Sequence, residues 1–276
     1  MMTTSCSRLT CISKQMADMT LPVVGMFVII ASCTPPLMGT SITLLQDTAT
    51  FSQAGLAVDQ TTDGTTSGLN GWAINPSESN PQTAVWETDP LSVVGGPGGT
   101  SFTFTLMQQY GGNHTLGRFR LSVTTADRTT FADGNTGVLT PGDVGAPGIW
   151  TELTPLTASD AALQTETFTI NLDNSISVTD DSPATATYIV TATTTFTGIT
   201  GIRLEALKYT NPAEGNGPGR AATATGGNFL LSEFQVDAVN LVPEPGSAVL
   251  LALGAVGFLG RGRYRKKLNT NVETIA

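Results

Sequence analysis

Apolar and polar residues alternate with a period of two in several short runs of this 276-residue chain. Ser101–Met107 puts Phe102, Phe104 and Leu106 on one face and threonine on the other, the mark of a half-buried strand. Arg118–Thr124 does the same with Phe119, Leu121 and Val123. Ile202, Leu204 and Ala206 alternate with Arg203, Glu205 and Leu207. Near the end, Phe229, Leu231 and Glu233 alternate with Leu230, Ser232 and Phe234 before Val236. Further strands are predicted at Ile42–Phe51, Ala84–Thr88, Thr167–Leu172 and Tyr188–Phe196. Segments rich in Gly, Pro, Asn and Asp, Asp133–Pro147 and Asn211–Asn228, read as loops. About eight to ten strands without a helical period argue for a single all-β sandwich or jelly roll. No internal repeat and no long linker divides it.

Two apolar runs at the ends do not alternate. LPVVGMFVIIA (Leu21–Ala31) follows a Ser/Thr-rich segment carrying Arg8 and Lys14, the pattern of a secretory signal, with Met16 or Met19 as alternative starts. Ile30-Ala31-Ser32-Cys33 also fits a lipobox, in which Cys33 is acylated after cleavage; otherwise cleavage falls between Ser32 and Ser41. At the other end Pro243, Glu244 and Pro245 precede SAVLLALGAVGFL (Ser247–Leu259) and the basic cluster Arg261, Arg263, Arg265, Lys266 and Lys267. The two prolines keep the approach extended, open to a protease. The order of these parts closely resembles the PEP-CTERM sorting signal of Gram-negative bacteria. That resemblance implies an exosortase-type sorting protease as partner and an inner-membrane span through residues 246–260. It implies a basic stop cluster left in the cytoplasm, and delivery of an anchored precursor to the envelope, the outer surface or the medium. The expected division is leader 1–40, sandwich 41–240, sorting signal 241–267 and tail 268–276.

Composition narrows the chemistry of the body. Only 13% of residues are charged, against 45 Thr and 30 Gly, which favours strands and turns. Between residues 34 and 260 there are 20 acidic and 6 basic residues, a formal charge of −14. Such a body repels phosphate backbones, so no nucleic-acid partner is expected, and it attracts divalent cations. The chain has one histidine and three cysteines, Cys6, Cys11 and Cys33, so the body lacks disulfides and the ligands of zinc, haem or thiol chemistry. Gly95–Gly99 precedes a strand and reads as a turn, not a phosphate loop. Asp133-Gly134-Asn135 starts like a calcium loop but has Val144 where the twelfth-position glutamate belongs. Glu152, Glu166, Asp180 and Asp181 are acids without a recognisable catalytic spacing. A non-enzymatic body is the expectation.

A second resemblance runs through the body. Thr48–Gln53, Asp63-Gly64 leading to Gly71–Ile74, Thr83–Glu87, Phe102–Gly112, His114–Ser122 and Gly227–Val236 together look like the discoidin-like, galactose-binding-like modules of exported planctomycete proteins. It implies a jelly-roll sandwich with first and last strands adjacent, a structural calcium (Ca2+) site, and carbohydrate recognition by loops at one end. An Asp-Gly turn offers calcium a carboxylate and several carbonyls, so Asp63 and then Asp59 are metal candidates. Glu233 joins them, because alternation sets it beside Phe229 and Leu231, where a carboxylate is costly unless paired. The alternative is that Asp63 only caps a turn and Glu233 faces solvent. Trp72 and Trp86 fall in the positions of that resemblance, suited to stacking on a sugar or to packing a core, with the core expected for Trp72. Trp150, after Pro147-Gly148, is expected to be exposed and to stack on a sugar ring. His114 and Arg118 could orient a sugar hydroxyl or carboxylate, or simply anchor a strand edge. The expected body is a polysaccharide-binding module, with a structural coat protein or an all-β hydrolase as alternatives.

Overall fold

The computed structural model describes residues 39–162, 165–209, 216–222 and 227–241. They belong to the second of two units into which the chain divides at Pro36/Leu37. Cys33, the Pro243-Glu244-Pro245 motif and the basic cluster from Arg261 to Lys267 lie outside the described residues.

The chain runs through β1 (Thr40–Ser41), β2 (Leu44–Ala49), β3 (Trp72–Ala73), β4 (Gln82–Thr88), β5 (Thr100–Gln108) and β6 (Arg118–Thr124). It continues with β7 (Thr151–Glu152), β8 (Pro155–Asp160), β9 (Glu166–Ile170), β10 (Ile176–Asp180) and β11 (Ala186–Thr194). The last elements are β12 (Gly201–Ala206), β13 (Ala221–Ala222), β14 (Gly227–Asn228), β15 (Leu230–Leu231) and β16 (Glu233–Asn240). Two large antiparallel sheets form, one ordered β1-β16-β5-β11-β8 and the other β2-β4-β12-β6-β10-β9, with β7 on the far half of β6; β3 pairs with β15 and β13 with β14 beside them. First and last strands pair, Thr40 opposite Ala238, as the galactose-binding-like resemblance implies.

The core lies between the sheets, where the alternating positions meet. Phe102, Phe104 and Leu106 of β5 face Trp86, Phe119, Leu121 and Leu204 of the second sheet in one continuous cluster. Phe234 of β16 stacks on Trp86 with ring centroids 4.6 Å apart. Each such buried aromatic removes a large apolar surface from water and fixes the sheet spacing. At one end the sandwich is closed by a buried ion pair, Arg220 NH1 to Glu166 Oε1 at 3.1 Å, with the Tyr188 hydroxyl donating to Glu166 Oε1 and to the Leu116 carbonyl, both at 3.2 Å.

Several sequence expectations change. The Ile42–Phe51 strand is β2, shortened to Leu44–Ala49, because the chain crosses at Ile42-Thr43 from β1 in the first sheet to β2 in the second. The Thr167–Leu172 strand is β9, which ends at Ile170 before a tight turn. Strand β8 carries too much Ser, Thr and Asp for alternation to reveal it, and backbone pairing with β11 makes it a strand; β10 is missed as a short run, although Ile176 and Val178 alternate into the core.

Candidate functional site

Two places collect polar side chains beyond the needs of the fold. The first is the corner where β2 and β16 approach. A bulge between Leu45 and Thr48 turns Asp47 out of register, and the 3-10 turn Val58–Thr61 packs against both strands. The following Asp63-Gly64 turn lies on the start of β16: the Gly64 N–H donates to Glu233 Oε2 at 3.2 Å. Asp63 holds its own loop, accepting from the Thr65 N–H at 2.7 Å and from Asn70 Nδ2 at 3.2 Å on both oxygens. Asp47 Oδ1 accepts from the Thr62 hydroxyl at 2.9 Å. Gly71 closes the loop at φ +131°, where a Cβ would strike the Leu231 carbonyl, so only glycine lets the two backbones meet.

Glu233 is 4% exposed, as buried as alternation suggested, but for a different reason. Ser232 separates β15 from β16, so Glu233 alternates with the core residues Phe234 and Val236 instead of joining Leu231. The Asp63-Gly64 turn, not the core, covers it. Burial raises its pKa, the Gly64 N–H lowers it, and Asp63 and Asp47 raise it again by repulsion. Burial likewise lifts Asp47 to about 6, against the Thr62 hydrogen bond and reinforced by repulsion from Asp59. Among the described residues no Arg or Lys forms an ion pair with Asp47, Asp59, Asp63 or Glu233. The corner thus brings the predicted Asp63 and Glu233 together and adds Asp47, which the bulge concealed from sequence periodicity. The donors are all oxygen, which suits calcium. No three His, Cys, Asp or Glu side chains among the described residues group closely enough to hold an ion by themselves. Carbonyl oxygens of the loop would have to complete the shell.

The second place is a depression of about 560 Å3 on the outer face of the second sheet. The segment between β6 and β7 folds back over that face and packs Phe131, Ala132 and Trp150 on Val85 of β4. Trp150 is therefore 7% exposed rather than presented to solvent. Its indole N–H donates to the Val144 carbonyl at 2.9 Å, and its ring meets Phe131 edge-on at 5.1 Å. Arg203 of β12 lies over the Trp150 ring, guanidinium carbon 5.3 Å from the centroid. Around it runs an ion-pair chain: Arg203 NH2 to Glu205 Oε2 at 3.1 Å, Glu205 to Arg120 Nε at 2.8 Å, and Arg120 NH1 to Glu152 Oε1 at 2.6 Å. Two cations and two anions leave it formally neutral. Glu205 bonding holds the Arg120 pKa up, whereas burial pulls Arg203 down. Arg203 is 8% exposed, and its Nε has no acceptor. Thr83, Pro147 and Asn174 complete the lining.

The other predicted ligand residues disperse. Arg118 shares the face of β6 with Arg120 but is engaged by the β9–β10 turn, its NH2 2.5 Å from Asp173 Oδ2 and its Nε 3.0 Å from Ser175 Oγ. His114 sits in the loop after β5, its Nδ1 3.0 Å from the Gly111 carbonyl and its ring edge-on to Tyr110 at 5.0 Å. Alternation had already set Arg203 and Glu205 on the outer face of their strand; their partnership with Trp150 was invisible because it depends on a loop folding back.

The described fold ends at Asn240-Leu241, and the proline-flanked, apolar and basic segments follow directly. Residues 241–266 match the PEP-CTERM protein-sorting motif. The PEP-CTERM signal marks the chain as an exported protein, sorted by an exosortase from a membrane-anchored precursor to the cell surface. Among the described residues no helix is long and apolar enough to cross a membrane; residues 246–260 lie outside them. A chain of the Streptococcus pneumoniae beta-galactosidase BgaA is similar in structure, with a TM-score of 0.44 and 11% identity over 72% of this chain and 98% of that one. No curated protein matches the sequence.

Proposed function

We propose that the exported body is a non-catalytic carbohydrate-binding module, with the glycan seated in the depression over Trp150. One observation carries this reading: a neutral chain of four fixed charged side chains, Arg203-Glu205-Arg120-Glu152, rims an open hollow whose apolar wall is Val144 and Pro147, propped from beneath by buried Trp150. Charged groups locked to one another present oriented donors and acceptors without attracting a counter-ion, and that suits the hydroxyls of a neutral sugar. The apolar wall suits the C–H face of its ring. The two carboxylates of the hollow, Glu152 and Glu205, are both tied to Arg120 by ion pairs, which favours binding over turnover.

Calcium belongs to the same reading as a structural cofactor. Asp47, Asp63 and Glu233 would hold it with carbonyls of the 61–64 turn, relieving the like-charge repulsion of that corner. The test is affinity electrophoresis of the purified protein through gels containing neutral and uronate polysaccharides, in calcium and in chelator. Retardation by a neutral polysaccharide that Arg120→Ala abolishes supports the reading. Unchanged mobility in every gel, or retardation that survives Arg120→Ala, overturns it.

A further inference from the structure

The sandwich displays two bare apolar side chains at the point where the chain leaves it for the sorting segment. Leu91 is 90% exposed and Val93 81%, in the turn between β4 and β5. This turn is rigidly built. Asp89 Oδ1 accepts from the Leu91 N–H at 2.8 Å, the Ser92 N–H donates to the Asp89 carbonyl at 2.9 Å, and Val94 is buried. It is also clamped to the exit strand: Asn240 Nδ2 donates to the Val93 carbonyl at 2.8 Å, and the Gly95 N–H donates to Asn240 Oδ1 at 3.0 Å. Beside the turn runs a groove of about 490 Å3 lined by Ile42, Val94, Ala238 and Val239. Leaving Leu91 and Val93 in water this way costs solvation and gives the sandwich nothing in return.

The covalent distance beyond the exit names the occupant. Five residues separate Leu241 from Ser247, where the apolar stretch of the sorting signal starts. Fully extended, the steps from Leu241 to Ser247 span at most about 20 Å, so a membrane-anchored precursor keeps this end of the sandwich within that distance of the start of its apolar segment. We propose that Leu91 and Val93 dock into the lipid interface of the membrane that anchors the precursor, fixing the sandwich over the Pro243-Glu244-Pro245 site. This rests on the sorting-signal reading, not on carbohydrate binding. Two side chains make a marginal membrane contact by themselves, and the tether makes it effective by keeping it close. Cutting the tether removes that advantage while the acidic body repels an anionic surface, so the same event that severs the chain also frees the domain.

The test uses the full chain reconstituted into vesicles of phosphatidylethanolamine and phosphatidylglycerol, with or without brominated acyl chains. The native Trp72, Trp86 and Trp150 are buried, so Leu91→Trp adds one exposed reporter. Tyr110→Trp serves as control at the opposite end of β5, a strand length of about 30 Å away. The expected result is several-fold stronger quenching of Leu91→Trp than of Tyr110→Trp by brominated lipid, and its loss when the sorting segment from Val242 onward is removed. Co-flotation with vesicles but equal quenching of the two reporters overturns the proposal alone. Shielding of Leu91→Trp from aqueous iodide without lipid quenching also overturns it, because a second copy or another part of the chain then covers the turn. Failure of the full chain to co-float overturns the anchor reading and this proposal with it.

Discussion

Asp47→Asn removes the carboxylate whose environment is least favourable to charge while keeping an oxygen for the Thr62 hydroxyl. Burial lifts the Asp47 pKa from 3.8 to about 6, so the folded protein holds a proton that the unfolded chain releases. Its contribution is therefore complete below the unfolded value and is lost as pH rises through the folded one. A shift of about two units corresponds to a ceiling near 3 kcal/mol at 1.36 kcal/mol per unit. Asp47 is only partly buried, and solvent screening reduces the expected figure to about 1–2 kcal/mol. Urea unfolding, followed by fluorescence of the buried tryptophans in chelator, is expected to show the wild type losing that stability between about pH 4 and pH 6. Asp47→Asn is expected to be flatter across the window and more stable than wild type at neutral pH. Saturating calcium reverses the order, because an ion stabilises the charged carboxylate; at a hundred times its dissociation constant the wild type gains about 2.7 kcal/mol and the variant less. Parallel pH profiles in chelator would refute the electrostatic argument, and equal calcium gains would refute the assignment of Asp47 as a ligand.

The remaining predictions concern packing and pairing. Trp150→Ala, by opening a cavity beneath Arg203, is expected to lower unfolding free energy by about 4 kcal/mol in urea titration, far more than an exposed sugar-stacking tryptophan would. Glu166→Gln replaces a carboxyl that still holds its proton at pH 5, and Arg220 keeps the Asp180 and Asp181 carbonyls, so little change in unfolding free energy is expected at that pH by the same titration. Burial pushes Glu166 up to about 7, so wild-type stability falls as pH rises from about 4.5 to 7, and this slope disappears in the variant. Gly71→Ala forces a Cβ against the Leu231 carbonyl and is expected to lower the melting temperature by at least several degrees and weaken calcium stabilisation, measured by differential scanning fluorimetry.

Wherever a residue's role depends on its near neighbours in the chain, the sequence announced it. Phe102, Phe104 and Leu106 on β5 and Phe119, Leu121 and Val123 on β6 point into the core because one buried face imposes a period of two. The sorting signal is also legible, because proline, apolar length and basic charge act as linear patterns read without a fold. A polar strand is different: β8 exists because its backbone completes the hydrogen bonding of β11, a requirement that leaves no mark on its side chains. Asp47 escapes notice because a bulge shifts its register, and Glu233 is buried by a loop about 170 residues earlier in the chain rather than by its own strand. Trp150 was expected in solvent and lies instead under Arg203, since the loop before β7 returns over the sheet. Sequence by itself determined the strongly alternating strands, the core face and the address, all of which follow from local periodicity and linear motifs. Tertiary structure decided where the carboxylates meet, which charged residues pair and what covers them, because those energies arise only when distant segments exclude water from one another.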